Sequence, residues 1–353
     1  MDLVADTLVG GLKTNGLGLQ VSRIRPTFRP RVKRIPGGGR LAFNADRLIH
    51  RMRDYPRYLR GRAQEFDLFH IADHSYAHLV HELPAVRAGV FCHDLDTFRC
   101  LLDPVADPRP FWFRRMTRRI LTGMQKAAVV FYTTNTIRAQ IENYGLIDSA
   151  RLVQAPYGVA HEFTPDESEA PALPAAIAEG PFLLHVGSCI PRKRVDVLLE
   201  VMTQLRGEFP ELRFFQVGGE FSESQLAQIT QYSLNDVVIQ LPRQDHQTIA
   251  ALYRRAALVV MPSEAEGFGI PVIEGLACGA VVVASDIPVF REVGGDSLVY
   301  CPVGEVDAWS AGIREQLHQP ETSPSLGSRL ARAAEFTWAN HARIIAAEYE
   351  KIL

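Results

Sequence analysis

The stretch EAEGFGIPVIEGLACGA, residues 264–280, lies between two short apolar runs, AALVVMPS (256–263) and AVVVAS (280–285). Both runs have the composition of buried strands, so a loop and a helix must fit between them. Pro271 suits the first helical position, where its missing N–H removes no hydrogen bond, and Gly279 suits the helix stop. Glu266, Gly267 and Gly269 then precede the helix, with Glu274 about one turn inside it. The backbone N–H groups near Gly269 and Ile270 have no intrahelical acceptor, and glycines let a ligand approach them closely. In outline this is an anion or polar-ligand site. The plainer alternative is two carboxylates favoured by the positive end of the helix dipole. A carboxylate repels phosphate, so if a phosphate binds here the glutamates face neutral groups beside it, such as sugar hydroxyls.

Working outward, PFLLHVGS (181–188), LRFFQVGG (212–219), DVVIQLP (236–242) and SLVYCPV (297–303) are further apolar, β-rich runs. Amphipathic stretches such as RVDVLLEVMTQLRGEF (194–209) and QTIAALYRRA (247–256) alternate with them. This alternation predicts a parallel, doubly wound sheet with helices on both faces. The N-terminal half repeats it more faintly, with strand candidates LQVSRIRP (19–26), FDLFHIA (66–72), GVFCHD (89–94) and AAVVFYTT (127–134) and helices around DHSYAHLVHEL and FRRMTRRILTGMQK. Two Rossmann-like domains are expected, residues 1–165 and 166–335, with HEFTPDESEAPALP (161–174) as linker. Residues 336–353 form an amphipathic helix that can pack back on the N-terminal domain. A doubly wound domain ordinarily opens with a buried strand and a Gly-rich turn, whereas MDLVADTLVGGLKT at residues 1–14 already reads as helix. Gly37–Gly39 follows no clear strand and reads as a loop, so the N-terminal domain reads as lacking its first strand.

Of 353 residues, 47% are apolar and the net charge is -2, but the charge is unevenly placed. Residues 1–160 hold 24 Lys and Arg against 14 Asp and Glu, and the remainder 14 against 26. The run from Arg23 to Arg62, including RPTFRPRVKR, accounts for most of the excess. It is either a solvated face or a surface for an anionic acceptor or an anionic membrane. Nucleic acid is excluded as the intended partner, since no recognition motif accompanies the charge. The five cysteines are scattered without CxxC spacing and read as buried free thiols. No signal peptide is present and no apolar run approaches about 18 residues, so a cytoplasmic protein is expected, with peripheral membrane contact on the cytoplasmic face left open.

A second strand, loop and charged helix start occurs at HVGSCIPRKRVDVLLE (185–200). The strand ends at Gly187, and Arg192, Lys193 and Arg194 crowd the next helix start, where cations are unfavourable unless an anion sits among them. Ligands of open α/β sheets bind beyond the carboxyl ends of the strands, where both this loop and the glutamate loop lie. A diphosphate held by Arg192, Lys193 and the amides near Gly269 would satisfy both.

PSEAEGFGIPVIEGLACGAVVVASDIPVFREVGGDSLVYC resembles the signature region of the retaining GT-B glycosyltransferases of family 4, and GSCIPRKRVDVLLEVM resembles their phosphate-binding segment. The resemblance is close over roughly residues 90–350 and weak before them. It implies a GT-B fold, two Rossmann-like doubly wound domains facing a cleft, and a metal-independent retaining hexosyltransferase with no cofactor. The donor would be a UDP- or GDP-sugar and the acceptor a glycan or lipid-linked glycan. Glu266 would take hydroxyls of the donor sugar, and Gly267, Phe268, Gly269 and Ile270 would present backbone amides to sugar and phosphate. Glu274 would hold the ribose hydroxyls. Arg192 and Lys193 would neutralise the leaving diphosphate. Gly187 and Ser188 would border it, Ser188 standing where many members carry arginine. GVFCHDLDTF (89–98) resembles the family's strand end in which His93 faces the donor sugar, able to hydrogen-bond it or accept a proton.

Two metal patterns are weighed and set aside. Asp94-Leu95-Asp96 is a DxD of the kind that binds a cation in a different glycosyltransferase fold, and three-residue patterns arise by chance. His74, His78 and His81 would share one face of an α-helix, as in a zinc site, but without HExxH or a fourth ligand they read as a cleft-lining or partly buried face. The competing expectation to transfer is a nucleotide-sugar-binding protein with impaired or no transferase activity, because the N-terminal βα unit reads as absent.

Overall fold

The structure, a computed structural model, describes residues 2–14, 19–32, 39–168, 171, 173, 177 and 180–353. The chain forms two compact units, Met1–Pro156 with Trp338–Leu353, and Tyr157–Thr337. The division at Pro156 and Tyr157 precedes the boundary at 165 and 166 expected from composition.

In the first unit four strands run parallel in the order β1 (Phe69–Ile71), β2 (Ala88–Cys92), β3 (Val129–Tyr132), β4 (Leu152–Gln154). β2 and β3 are buried along their whole length, as their unbroken apolar sequence requires. The helix Trp338–Glu350 buries Ala342, Ile345, Ala346 and Tyr349 in this unit. Tyr349 Oη lies 2.8 Å from His70 Nδ1 and donates to Phe69 O.

Three expectations are corrected here. LQVSRIRP does not form a strand: residues 19–30 carry no regular structure. Ile24 O instead accepts from Tyr55 Oη at 2.7 Å, and Leu19, Val21 and Ile24 line a cavity of about 370 Å³ along the outer edge of β1. Prolines at 26 and 30 lack the N–H a ladder needs. Gly37 and Gly38 lie outside the described residues, whereas Gly39 opens a helix, Gly39–Ile49, rather than lying in a loop. Finally, His74–Glu82 is a 3₁₀-helix, not an α-helix. At three residues per turn His74 is rotated off the face shared by His78 and His81, so the three-histidine face does not form.

In the second unit six parallel strands are ordered β10-β9-β8-β5-β6-β7, with β5 Phe182–Gly187, β6 Arg213–Gly218, β7 Val238–Leu241, β8 Leu258–Met261, β9 Val282–Ser285 and β10 Val299–Cys301. This is the doubly wound order, and the strand sequence reverses between β5 and β8. Its core packs the inward face of the helix Val195–Leu205 against β5, β6, β8 and β9, with Trp309 fully enclosed.

Candidate functional site

The loops after β5 and β8 emerge side by side at the reversal point. After β5 the chain passes Ser188, which is exposed, into a 3₁₀ turn Pro191–Lys193. Arg194 follows in the left-handed region (φ 49) and begins the helix Val195–Leu205. After β8 come Ser263, Glu264 and Glu266, then Gly269 at the N-cap of the helix Ile270–Ala277. Pro271 is therefore the second helical position, not the first, since Ile270 is already helical. No side chain caps this helix. Gly269 has φ +90, and a Cβ there would meet Phe290 Cε1 at 2.8 Å, so glycine is required both by the backbone and by space. The Phe268 side chain is buried against Tyr157 and Phe336, which leaves its backbone as the part able to face a ligand.

The two loops are laced together. Glu264 N donates to Arg192 O at 2.9 Å, and Arg192 Nη1 donates to Ala265 O at 2.8 Å. Glu266 is ion-paired with Lys193, accepts from Ser263 Oγ at 2.8 Å and lies 3.4 Å from Arg192 Nη1. Arg194 is held by Asp196 at 3.0 Å, with Glu264 at 3.9 Å. Each cation of the crowded helix start thus has a carboxylate beside it, which answers the unfavourable dipole. Arg192 keeps 31% of its side-chain surface exposed, the most accessible of the Glu266 cluster.

Glu274 sits one turn into its helix, with Tyr253 Oη donating to Oε2 at 3.2 Å. Burial, opposed by this hydrogen bond and reinforced by the charge of Glu162, pushes its carboxyl up to about 7. Glu162 in turn faces His246 Nδ1 at 3.6 Å.

Behind the β5 loop, sequence reasoning missed a buried pair. His185 Nδ1 donates to Gln216 Oε1 at 2.6 Å, and Gln216 Nε2 donates to Gly187 O at 2.8 Å. Burial drives His185 down to about 4, so it is neutral, with Nε2 as a buried acceptor that has no hydrogen-bond partner in the described structure. Gly219 matters in the same place: a Cβ on it would meet Cys189 N at 2.6 Å and Ser188 Cα at 2.7 Å, so the backbone of the loop after β5 rests directly on this glycine. A polar pair inside an otherwise apolar strand, His185 within FLLHVG and Gln216 within RFFQVG, was the available signal.

In the first unit His93 follows β2. Its Nε2–H donates to Ala72 O at 2.8 Å and its backbone N donates to His74 Nδ1 at 3.3 Å. Burial lowers both imidazoles to about 4, leaving His93 neutral and suited to hydrogen bonding. His78 and His81 donate instead to Arg51 O and Arg119 O. Among the described residues no cluster of three or more His, Cys, Asp or Glu is arranged to hold a metal ion.

Residues 169–333 match the sequence model of the family described as Glycosyl transferases group 1. The O-antigen chain mannosyltransferase B of Escherichia coli is 28% identical over 322 residues, covering 85% of this chain and 81% of that protein. Among solved structures, the sucrose-phosphate synthase of Thermosynechococcus elongatus superposes with a TM-score of 0.74 at 18% identity, covering 99% of this chain and 92% of its own. Anabaena HepE, solved with UDP and glucose, gives 0.70 at 17% identity over 86% and 82% of the two chains.

Proposed function

We propose that this chain, a member of the group 1 glycosyltransferases with the GT-B fold, transfers a hexose from a nucleotide sugar to a glycan or lipid-linked acceptor. Mannose is the sugar we favour, from the likeness to a mannosyltransferase along most of both chains. The transfer proceeds with retention and without a metal ion. The observation that carries this reading is the lacing of Arg192, Lys193 and Glu266 at the point where the strand order reverses, beside a helix start that no side chain caps.

In this scheme the diphosphate lies against Arg192, Lys193 and the amides from Gly267 to Ile270, with Gly187 and Ser188 at its border. As the bond between the sugar's anomeric carbon and the phosphate oxygen breaks, negative charge grows on the departing diphosphate, and the two cations stabilise it. Glu266 accepts from sugar hydroxyls while remaining paired with Lys193, and Glu274 accepts from ribose hydroxyls.

The test is a thermal-shift titration with UDP, GDP, ADP and TDP, each in EDTA and again in magnesium. A nucleotide at 100 times its dissociation constant stabilises the native state by about 2.7 kcal/mol. One nucleotide should act equally with and without metal, and its sugar should then be consumed when a glycan or lipid-linked glycan acceptor is supplied. Binding without turnover would leave a nucleotide-sugar-binding protein. No shift with any nucleotide would overturn the donor site itself.

A further inference from the structure

The first unit carries an exposed aromatic and basic face that the donor site does not use. The helix Phe111–Lys126 follows Pro108 and Pro110 and turns Thr117, Ile120, Gly123 and Met124 inward. Its first turn does the opposite: Phe111 is 75% and Trp112 59% exposed, and Val105 in the preceding loop is 90% exposed. Residues three, four and seven positions on from these aromatics share their helix face, which places the exposed Arg115, Arg118 and Arg119 in line with them. Exposed apolar groups gathered at one place mark an interaction surface.

The charges beside them are of two kinds. Arg119 is tied to Glu82 at 3.1 Å, and Arg109 to Asp107 at 2.8 Å. Arg115 and Arg118 form no ion pair among the described residues. Part of the longer basic run is paired within the fold, Arg23 with Asp6, Arg31 with Asp54, Arg60 with Glu82 and Arg62 with Glu65, while Arg29, Arg53 and Arg57 are exposed and form no ion pair among the described residues. On this helix, charge with no ion pair inside the fold lies beside the most exposed aromatic side chains of the described residues, Phe111 and Trp112.

We infer that this face docks on an anionic lipid surface, with Val105, Phe111 and Trp112 entering the headgroup region and Arg115 and Arg118 meeting lipid phosphates. Trp and Phe at the end of a helix whose exposed side is basic suit the apolar-to-polar gradient of a bilayer interface. Guanidinium groups on long stems reach phosphates from that depth. The inference stands independently of the donor site.

The test is co-sedimentation of the full chain with vesicles of phosphatidylcholine alone and of phosphatidylcholine with phosphatidylglycerol in equal parts, at physiological ionic strength. Binding should favour the anionic vesicles and weaken as salt rises. F111S/W112S should lower the partition coefficient at least about tenfold. R115Q/R118Q should lower it roughly fivefold per arginine on anionic vesicles and little on phosphatidylcholine. R62Q, at an arginine already paired with Glu65, should leave it unchanged. Tryptophan emission should shift to the blue with anionic vesicles, a shift lost in W112F, since Trp309 is fully enclosed and Trp338, half-buried at the start of the C-terminal helix, is not part of this face. The side chains at 111, 112, 115 and 118 are exposed, so the melting temperatures of those variants should be unaltered. Absence of binding to anionic vesicles, or an equal loss in R62Q and R115Q/R118Q, would overturn the inference. So would self-association in the absence of lipid that F111S/W112S abolishes, which would make the face a protein interface.

Discussion

The ammonium of Lys193 and the carboxylate of Glu266 are ion-paired with only 11 and 6% of their side chains exposed. The pair joins two loops 73 residues apart in sequence, and Arg192 and Ser263 share the same carboxylate. Breaking a buried pair by removing one partner costs about 3–5 kcal/mol when the other charge is stranded. Here Arg192 and Ser263 remain, so K193A should cost about 1–3 kcal/mol in urea unfolding. K193A/E266A should be less destabilised than the sum of the two single variants, because neither charge is left alone. Transfer should fall about 100- to 1000-fold in K193A, as expected for loss of a group facing charge that develops in the transition state.

Glu274 ties donor binding to pH. Its carboxyl stands raised to about 7 through burial, and ribose hydroxyls bond best to the ionised form. The ionised fraction rises from about one tenth at pH 6 to about nine tenths at pH 8, so nucleotide affinity should tighten about tenfold over that interval, with proton release on binding. Calorimetry in buffers of different ionisation enthalpy measures that proton. In E274Q the pH dependence assigned to this group should vanish and binding should weaken. The stability sign runs the other way: a carboxyl raised in the folded state contributes stability below its unfolded value and loses it as pH rises through about 7. E274Q should therefore melt higher than wild type at pH 8, by on the order of 1–3 kcal/mol in the ligand-free protein.

Buried imidazoles set the acid limit. His70 is lowered to about 3, and His74, His78, His93, His185 and His341 to about 4, each chiefly by burial. The unfolded chain binds protons near 6.5 that the folded chain refuses until about 4. Stability should fall as pH drops through this window, by up to about 1.4 kcal/mol per pH unit for each histidine. Urea midpoints at pH 7.5, 6 and 5 measure the slope. His78→Gln retains a donor for Arg51 O, which His78 Nε2 now serves at 2.9 Å, and should flatten that slope without abolishing folding.

The parallel sheets were legible because buried parallel strands are nearly uninterrupted apolar runs: AAVVFYTT holds β3, AALVVMPS β8 and AVVVAS β9. β4, Leu152–Gln154, was not, because three residues ending in Gln carry too little pattern. LQVSRIRP had the pattern without the pairing. DHSYAHLVHEL had a helical period but tightened to 3₁₀ where it packs against Gly123, whose Cβ would meet Ala77 O at 2.1 Å. At the site, local chemistry revealed the two loops and their residues one by one. Glu266 bonded to Lys193, His185 to Gln216 and Glu162 beside His246 are contacts between distant segments, which no local pattern encodes.

Gly269 should be the least replaceable residue of the glutamate loop. Its φ of +90 lies where a side chain is strained, and an added Cβ would sit 2.8 Å from Phe290 Cε1, a ring that is fully buried and has no room to yield. Strain of this kind costs about 1–3 kcal/mol before the clash is counted. If the helix start is instead displaced to relieve it, the amides around Ile270 move away from the ligand, so G269A should lose nucleotide affinity as well as stability. Gly207 is the control: a Cβ there meets nothing within 4 Å and its backbone lies outside the left-handed region. G207A should leave nucleotide binding unchanged and stability within about 1 kcal/mol of wild type. Equal melting temperatures and equal nucleotide shifts for G269A and G207A would show that the loop tolerates a side chain at the helix start and that its amides are not the donor contact.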